Sequence, residues 1–177
     1  DLLLEKKGDN NLLISIKKYL ENKGFKFFNW TKYCSELFSN ENYLTIFKPS
    51  KYAILNFNKA KTIYKYFKSI DVGQSMVIQN QLVLGLEAIE GTDQLISRCN
   101  DYKRKGDKGV LVNFSKKNQS SILDIPLIGL ETIKIIKKLN YEGIFLEKKK
   151  CLIIDKDEVI DYANKNKIFI SSMELNW

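Results

Sequence analysis

The chain has 177 residues, of which 44% are hydrophobic and 28% charged, so it can build a core and is not of the disordered type. It has no histidine, which excludes Ser-His-Asp and Cys-His catalysis and histidine-ligated metal sites within this chain. The formal charge of +8 is compatible with nucleic acid, an anionic membrane surface or a phosphorylated substrate as partner, and also with a lysine-rich solvated surface.

The number of cysteines and the length of the apolar runs further limit the possible classes of protein. Three cysteines without a C-x-x-C pair indicate reduced thiols in a cytosolic setting and argue against a zinc site. Any metal should therefore be a hard cation bound by oxygen. No apolar run approaches the roughly 18 to 20 residues that a membrane-crossing helix needs. The sequence starts at Asp1 and not at Met, and we expect that it is cut from a longer chain.

Helical spacing is interrupted over the first 70 residues. In chain order, the apolar pattern and the turn residues predict a helix over 11–23, a strand over 25–30, a helix over 31–38 capped by Thr31, irregular chain over 39–54 and a helix over 58–70. The spacing of the apolar residues then changes at DVGQ, residues 71–74.

From this point strands alternate with helices. The predicted strands are 75–79, 82–89, 109–114, 141–147, 151–155 and 168–172, and the predicted helices are 92–105, 130–140 and 156–167. We expect two hairpins, one that turns at Asn80 and Gln81 and one between 141–147 and 151–155. Such alternation is typical of an α/β domain with a mixed sheet.

The stretch LVLGLEAIEGTD, residues 82–93, joins an apolar strand to a dense group of carboxylates. Both strand faces are mostly apolar, which predicts a central strand covered on two sides. Glu87 lies near the strand end, and 90–93 is predicted to turn into a helix with Thr92 or Asp93 as N-cap. Ligands of open α/β sheets bind at the carboxyl ends of strands, and a helix N-terminus suits phosphate. Alternatively, Asp93 only caps its helix and Glu87 pairs with a lysine.

A second polar stretch, residues 115–129, follows another predicted strand. It offers Lys116 and Gln119 as hydrogen-bond donors, and it places Asp124 in an apolar segment that Pro126 stiffens. A lone carboxylate in such a segment is a candidate for metal binding or base chemistry, and equally for capping the backbone amides of the loop.

In combination these motifs resemble a known family. DVGQ at 71–74, EGTD at 90–93 and LDIP at 123–126 follow the order seen in the UDP-2,3-diacylglucosamine pyrophosphatases, the two-domain enzymes that make lipid A precursors. The likeness covers residues 71–170 closely, and residues 6–25 resemble a segment near the end of the family's N-terminal domain. The order of the motifs is specific to the family, whereas each motif alone is not.

The resemblance implies two domains and a reaction. Residues 71–177 would form the C-terminal α/β domain, with a mixed sheet, flanking helices and the EGTD and DIP motifs, and 1–70 would be the tail of a truncated N-terminal α/β domain. The implied reaction is Mg²⁺-dependent hydrolysis of UDP-2,3-diacylglucosamine to UMP and 2,3-diacylglucosamine 1-phosphate. The acyl chains imply work at the cytoplasmic, inner face of the inner membrane, where the positive charge would attract anionic lipid.

The family motifs also assign roles to residues of this chain. Asp124 is expected to position water or metal, and the full set of expected residues comprises catalytic Asp124, Thr92 and Asp93, substrate-binding Gly91, Arg98, Lys116 and Gln119, and metal-binding Glu90 and Asp124. The chain departs from the family pattern where Asn113 replaces a lysine and Leu127 a threonine. Loss of the lysine would weaken diphosphate binding unless Lys116 or Lys117 compensates for it.

Two other functional classes stay open. A nucleic-acid-binding module would use the same positive charge with aromatic stacking surfaces, but we find no RNP or helix-turn-helix pattern and expect no nucleic acid partner. A non-catalytic binder of a nucleotide sugar or lipid phosphate would bind the substrate without releasing UMP. The sequence leaves open whether the chain forms a homo-oligomer.

Overall fold

The computed structural model of the chain describes residues 9–67, 73–115 and 125–175. Within them the strands are β1 (Ser75–Gln79), β2 (Leu82–Leu86), β3 (Val110–Asn113), β4 (Leu127–Ile128), β5 (Gly143–Glu147), β6 (Leu152–Ile153) and β7 (Phe169–Met173). The α-helices are α1 (Asp9–Asn22), α2 (Lys51–Phe67), α3 (Thr92–Cys99), α4 (Leu130–Lys138) and α5 (Lys156–Lys165). Short 3₁₀ turns cover Trp30–Lys32, Ser35–Leu37 and Asn100–Tyr102.

A mixed sheet in the order β2-β1-β3-β5-β7 forms the centre of the fold. β3, β5 and β7 run parallel, while β1 runs antiparallel to both β2 and β3. β2 therefore points the same way as β3. The carboxyl ends of four strands and the start of β1 thus lie at the same end of the sheet. The predicted α/β class with a mixed sheet and flanking helices is confirmed.

Helices cover both faces of this sheet because side chains alternate between the faces along each strand. On one face, α2 packs aromatic and small residues against the strands, and the rings of Phe57 and Phe145 lie 4.8 Å apart. On the other face, α3, α4 and α5 bury an aliphatic cluster that includes Ile96, Ile133 and Val159. The predicted domain division after residue 70 lies outside the described residues and stays a prediction.

The hairpin predicted between 141–147 and 151–155 is wrong. β5 lies between β3 and β7, so both of its edges are already paired. β6 instead pairs in parallel with β4 in a separate two-stranded sheet, which the sequence did not predict. The short connection over 148–150 thus leads out of the main sheet.

The predicted central position of the strand over 82–89 is also wrong. β2 ends at Leu86 and lies at the edge of the sheet, where Leu82 and Val83 are exposed. Its apolar residues reflect helices packed near both of its faces, since α2 and α3 each contact β2. Apolar content on two faces therefore reports coverage by helices and not the number of neighbouring strands.

The strand over 25–30 and the helix over 31–38 are not formed. Residues 25–29 have no regular structure, and two 3₁₀ turns replace the helix. The side chain of Asn29, and not that of Thr31, caps the first turn: its Oδ1 accepts from the backbone N–H of Thr31 at 3.3 Å and from the Thr31 hydroxyl at 2.7 Å. Such local side-chain bonds compete with helix extension.

The remaining helices differ from prediction mainly at their ends. α2 begins at Lys51, seven residues earlier than predicted, because Ser50 Oγ accepts from the N–H of Ala53 at 3.2 Å. α3 ends at Cys99, and a 3₁₀ turn continues the chain to Tyr102.

The hairpin between β1 and β2 is confirmed, and its turn is fixed by a network. Asn80 and Gln81 have φ of 52° and 60°, typical of a type I′ turn. Asp107 Oδ2 accepts from the N–H of Asn80 at 2.9 Å and from Asn56 Nδ2 at 3.1 Å. The basic stretch over 102–108 is thus tied to this turn.

Candidate functional site

Polar side chains meet at the end of the sheet where β2 and β3 end and β1 begins. Asn113 and Ser75 are cross-strand partners, and Asn113 Nδ2 lies 3.2 Å from Ser75 Oγ. Ser75 Oγ lies 3.0 Å from the Oγ1 of Thr92, the first residue of α3. Thr92 Oγ1 lies 2.8 Å from Glu87 Oε1. This polar row, Asn113–Ser75–Thr92–Glu87, connects two strands to the start of a helix.

The carboxylate at one end of the polar row sets the direction of its hydrogen bonds. An ionised carboxylate only accepts, so Thr92 donates its single hydroxyl proton to Glu87. Ser75 must then donate to Thr92, and Asn113 must donate its amide to Ser75. This fixes the orientation of the Asn113 side chain, whose Oδ1 is buried and has no hydrogen-bond partner among the described residues.

Glu87 also holds the beginning of β1. Its Oε2 accepts from the backbone N–H groups of Gln74 and Ser75, both at 2.8 Å. The two main chains pair here as well, since the N–H of Gly73 donates to the carbonyl of Glu87 at 3.0 Å. The carboxylate thus accepts three hydrogen bonds from two elements, and no lysine among the described residues pairs with it. Glu87 therefore acts as an anchor: it holds the start of β1 to the start of α3.

Arg98 fixes the turn that leads into α3. Its Nε and Nη2 donate to Glu90 Oε1 at 2.9 and 2.7 Å, and Nη2 also donates to the carbonyl of Leu86 at 2.7 Å. Glu90 Oε2 accepts from the N–H of Ala88 at 3.1 Å. The residue's own backbone N–H, followed by the Arg98 guanidinium, lowers the pKa of the Glu90 carboxyl.

The lowered pKa of Glu90 predicts a pH dependence of this turn. Since the folded pKa lies below the unfolded one, the contribution to stability is present above the unfolded pKa and is lost as pH falls through the folded pKa. We expect a ¹³C NMR titration of the Glu90 carboxyl to show a midpoint below that of a free glutamate, and Arg98→Gln to raise it. The exposed Arg104 is the matched control: an equal rise in Arg104→Gln would contradict the assignment.

Two helix N-termini converge beside this turn. Gly91 precedes α3 and Gly129 precedes α4, and neither helix has a side-chain cap. Asp93 Oδ1 accepts from the buried Thr132 hydroxyl at 2.8 Å, which links the first turns of the two helices. Between them lies a cleft of about 510 Å³, lined by Glu90, Gly91, Thr92, Asp93, Gln94, Leu127, Gly129, Leu130, Glu131, Thr132 and Ile154.

The cleft combines backbone donors with carboxylates. The first N–H groups of a helix have no partner within the helix, and together with the helix dipole they attract anions. Of the three carboxylates that line the cleft, Glu90 is paired with Arg98 and Glu131 with Lys134 at 2.6 Å. Because Gly91 and Gly129 have open space where a Cβ would lie, an anion can approach the backbone closely.

Comparison with known proteins gives the family of this fold and site. The family model described as the LpxI C-terminal domain matches residues 40–171. The chain belongs to the LpxI C-terminal domain family. The resemblance identified from the motifs is thereby confirmed, and the matched region begins before the DVGQ motif.

A curated relative of the LpxI family matches nearly the whole chain. UDP-2,3-diacylglucosamine pyrophosphatase LpxI of Caulobacter vibrioides is 27% identical over 179 residues, which cover 98% of this chain. The chain spans 64% of the length of that relative. Among the described helices, none is long and apolar enough to cross a membrane.

The LpxI-type motifs place some of the expected site residues together. Glu90, Gly91, Thr92 and Asp93 line the cleft, and Arg98 reaches it through Glu90. The N-cap of α3 is Gly91, so the expectation that Thr92 or Asp93 caps this helix is wrong. The remaining expected residues, Lys116, Gln119 and Asp124, lie outside the described residues, and their roles stay predictions.

The described residues do not form a complete metal site on their own. They contain no group of three or more Cys, Asp or Glu residues that could hold a metal ion. Glu90 has both oxygens engaged, whereas Asp93 presents a carboxylate beside the two helix N-termini. Mg²⁺ commonly takes only one or two carboxylates and completes its shell with substrate phosphates and water. The donors of the cleft fit this mode and not an all-protein cage.

Sequence reasoning missed three contributors to the site. Ser75 and Thr132 are buried hydroxyls that bind Thr92 and Asp93, and Gly129 opens the second helix N-terminus. Ser75 and Thr132 lie in predicted elements with no local signal of a polar role. Gly129 offered one, since a glycine directly before a predicted helix suits an N-terminus that needs free backbone amides.

Proposed function

We propose that this chain carries the phosphate-holding part of a UDP-2,3-diacylglucosamine pyrophosphatase. The reaction would hydrolyse the diphosphate of UDP-2,3-diacylglucosamine to UMP and 2,3-diacylglucosamine 1-phosphate in lipid A biosynthesis. The observation that carries the proposal is the cleft between two helix N-termini without side-chain caps, in a chain of the LpxI C-terminal domain family. A diphosphate has two phosphates and can place one at each helix N-terminus.

The polar row and the Arg98–Glu90 pair would keep the cleft in shape. Phosphoryl transfer depends on positioning and charge neutralisation more than on covalent chemistry. The N–H groups of α3 and α4 would hold phosphate oxygens, and Thr132 would hold Asp93 in place beside them. Thr92 uses its hydroxyl within the polar row. Its contribution is then to position the backbone of the first helical turn.

We infer that Asp93 would provide a ligand to Mg²⁺, together with the substrate phosphates. When bound, this ion would neutralise charge on the diphosphate and make the phosphorus more susceptible to attack by water. Asp124 is proposed to position water or metal, and Lys116 and Gln119 to bind the diphosphate. The substrate's acyl chains place the reaction at the cytoplasmic face of the inner membrane, in contact with its anionic surface.

The direct test is UMP release from UDP-2,3-diacylglucosamine, with Mg²⁺ and with EDTA. It should be measured for this chain and for one extended upstream to the length of the Caulobacter relative. We expect release by the extended, Mg²⁺-supplied chain, and a fall to background in EDTA. Asp93→Asn in the extended chain should lower turnover about 100-fold, because a positioned charge is lost at the reacting phosphate.

Two controls accompany this assay. Asp101→Asn changes an exposed aspartate in the turn after α3 and should leave turnover unchanged. Asp124→Ala with full turnover would contradict the role proposed for Asp124. Binding of the substrate without UMP release by the extended, folded chain would show a binder and not an enzyme.

A further inference from the structure

The small sheet formed by β4 and β6 has an apolar outer face. Side chains alternate along a strand, and in this parallel pair Ile128 lies opposite Ile153. These two point inward and are each 1% exposed. Leu127, before Ile128, and Ile154, after Ile153, point outward and are 47% and 52% exposed. Leu127 in β4 and Ile154 directly after β6 therefore present apolar side chains on a side where polar residues normally face solvent.

This apolar face is one wall of the cleft already described. Leu127 and Ile154 line it together with Gly91, Thr92 and Gly129 at the two helix N-termini. One end of the cleft thus favours an anion and one wall favours hydrocarbon. A volume of about 510 Å³ lies within the range of small-molecule sites. An amphiphile with a phosphate head and an apolar tail has the matching chemistry.

We propose that Leu127 and Ile154 form the acyl-binding wall of the cleft. They contact a fatty acyl chain of a phosphorylated glycolipid whose phosphate lies at the N-termini of α3 and α4. This inference rests on the proposed function and goes beyond it, since it assigns recognition of the lipid part to two residues of β4 and the segment after β6. Burying their exposed surface stabilises the complex through the hydrophobic effect, and the phosphate sets the orientation of the ligand.

The test is a comparison of two soluble probes, glucosamine 1-phosphate and its 2,3-dihexanoyl derivative kept below its micellar concentration. Each is titrated into the methyl- and ¹⁵N-labelled chain and followed by NMR. Both should shift the backbone signals of Thr92 and Asp93, but only the dihexanoyl compound should shift the methyl signals of Leu127 and Ile154. It should also bind at least 10-fold more tightly, because about 1.4 kcal/mol of apolar burial is enough for that factor.

Substitution then separates recognition from folding. Leu127→Ser and Ile154→Ser should each weaken binding of the dihexanoyl compound about 3- to 10-fold and leave glucosamine 1-phosphate unaffected. Leu55→Ser, at a position 41% exposed on α2, is the matched control and should change neither affinity. Because all three side chains are about half exposed, the unfolding midpoints of the three variants should change by similar, small amounts.

The outcomes separate this inference from the proposed function. Both probes could bind with equal affinity and shift the signals of Thr92 and Asp93, with no shift of the Leu127 and Ile154 methyl signals. That result would contradict the acyl-binding wall and leave the phosphate site in place. If neither probe shifts Thr92 and Asp93, the inference falls together with the proposed phosphate site. The extended chain could release UMP while Leu127→Ser and Ile154→Ser leave its KM unchanged. That result would contradict the acyl-binding wall but not the enzyme function.

Discussion

Replacing Gly85 with alanine should lower the free energy of unfolding by about 2 to 3 kcal/mol, a large effect for one methyl group. Gly85 lies in β2 beneath α3, and a Cβ there would come within 2.5 Å of Cys99 Sγ and 2.9 Å of Leu95 Cδ1. Both neighbours are fully buried, so they cannot move aside without shifting the helix. A shifted α3 would also strain the contacts of Arg98 with Leu86 and Glu90.

A double-mutant cycle tests this explanation by urea denaturation. Cys99→Ala alone should cost about 1 kcal/mol, because it removes a buried sulfur. In the Gly85→Ala background the same change removes the closest clash, so the double variant should be less destabilised than the sum of the two single variants. Gly129→Ala is the control, since a Cβ at Gly129 meets nothing within 4 Å. Strict additivity of Gly85→Ala and Cys99→Ala would show that the clash is not the cause.

Replacing Glu87 with alanine should destabilise the fold by about 3 kcal/mol, since it leaves three donors without an acceptor. Two are backbone N–H groups, of Gln74 and Ser75, and the third is the Thr92 hydroxyl. Loss of the anchor also frees the start of α3, so turnover in the extended chain should fall together with stability.

Glu87→Gln separates the charge of this residue from its hydrogen bonds. A glutamine can keep its oxygen toward the two backbone donors and turn its amide toward Thr92. The direction of the hydrogen bonds along the polar row would then reverse, and the Asn113 amide would have to flip. We expect a loss of only about 1 kcal/mol, measured by urea denaturation, and a changed ¹⁵N chemical shift of the Asn113 side-chain amide. An equal loss of stability in the glutamine and alanine variants would contradict the anchor role.

The sequence predicted most elements of this fold because their signals are local. Strand alternation and the Asn80–Gln81 turn identified the first hairpin, and the EGTD motif identified the turn into α3. The pairing of β6 with β4 could not be predicted in this way. It depends on β5 having both edges occupied by β3 and β7, which is a property of the whole sheet.

The same distinction applies to the candidate site. Glu90, Gly91, Thr92 and Asp93 are consecutive, so one motif identified all four. Thr132 lies 39 residues away from its partner Asp93, and nothing in its local sequence indicates a polar contact. Contacts of this kind come from helix packing, and α3 and α4 pack directly on each other. Sequence pattern alone therefore identifies the turn but not what holds it.

The reversed direction of β1 makes the cleft sensitive to changes at the opposite end of the sheet. Ser75 starts this strand, and the Asn80–Gln81 turn that sets its pairing lies five residues away, about 16 Å along an extended strand. One inserted or deleted residue in that turn that shifted the register of β1 would rotate Ser75 to the other face. Its hydroxyl would leave Thr92 and point toward α2. A change of length in this hairpin would thus disturb the cleft, although the hairpin lies at the opposite end of the strand.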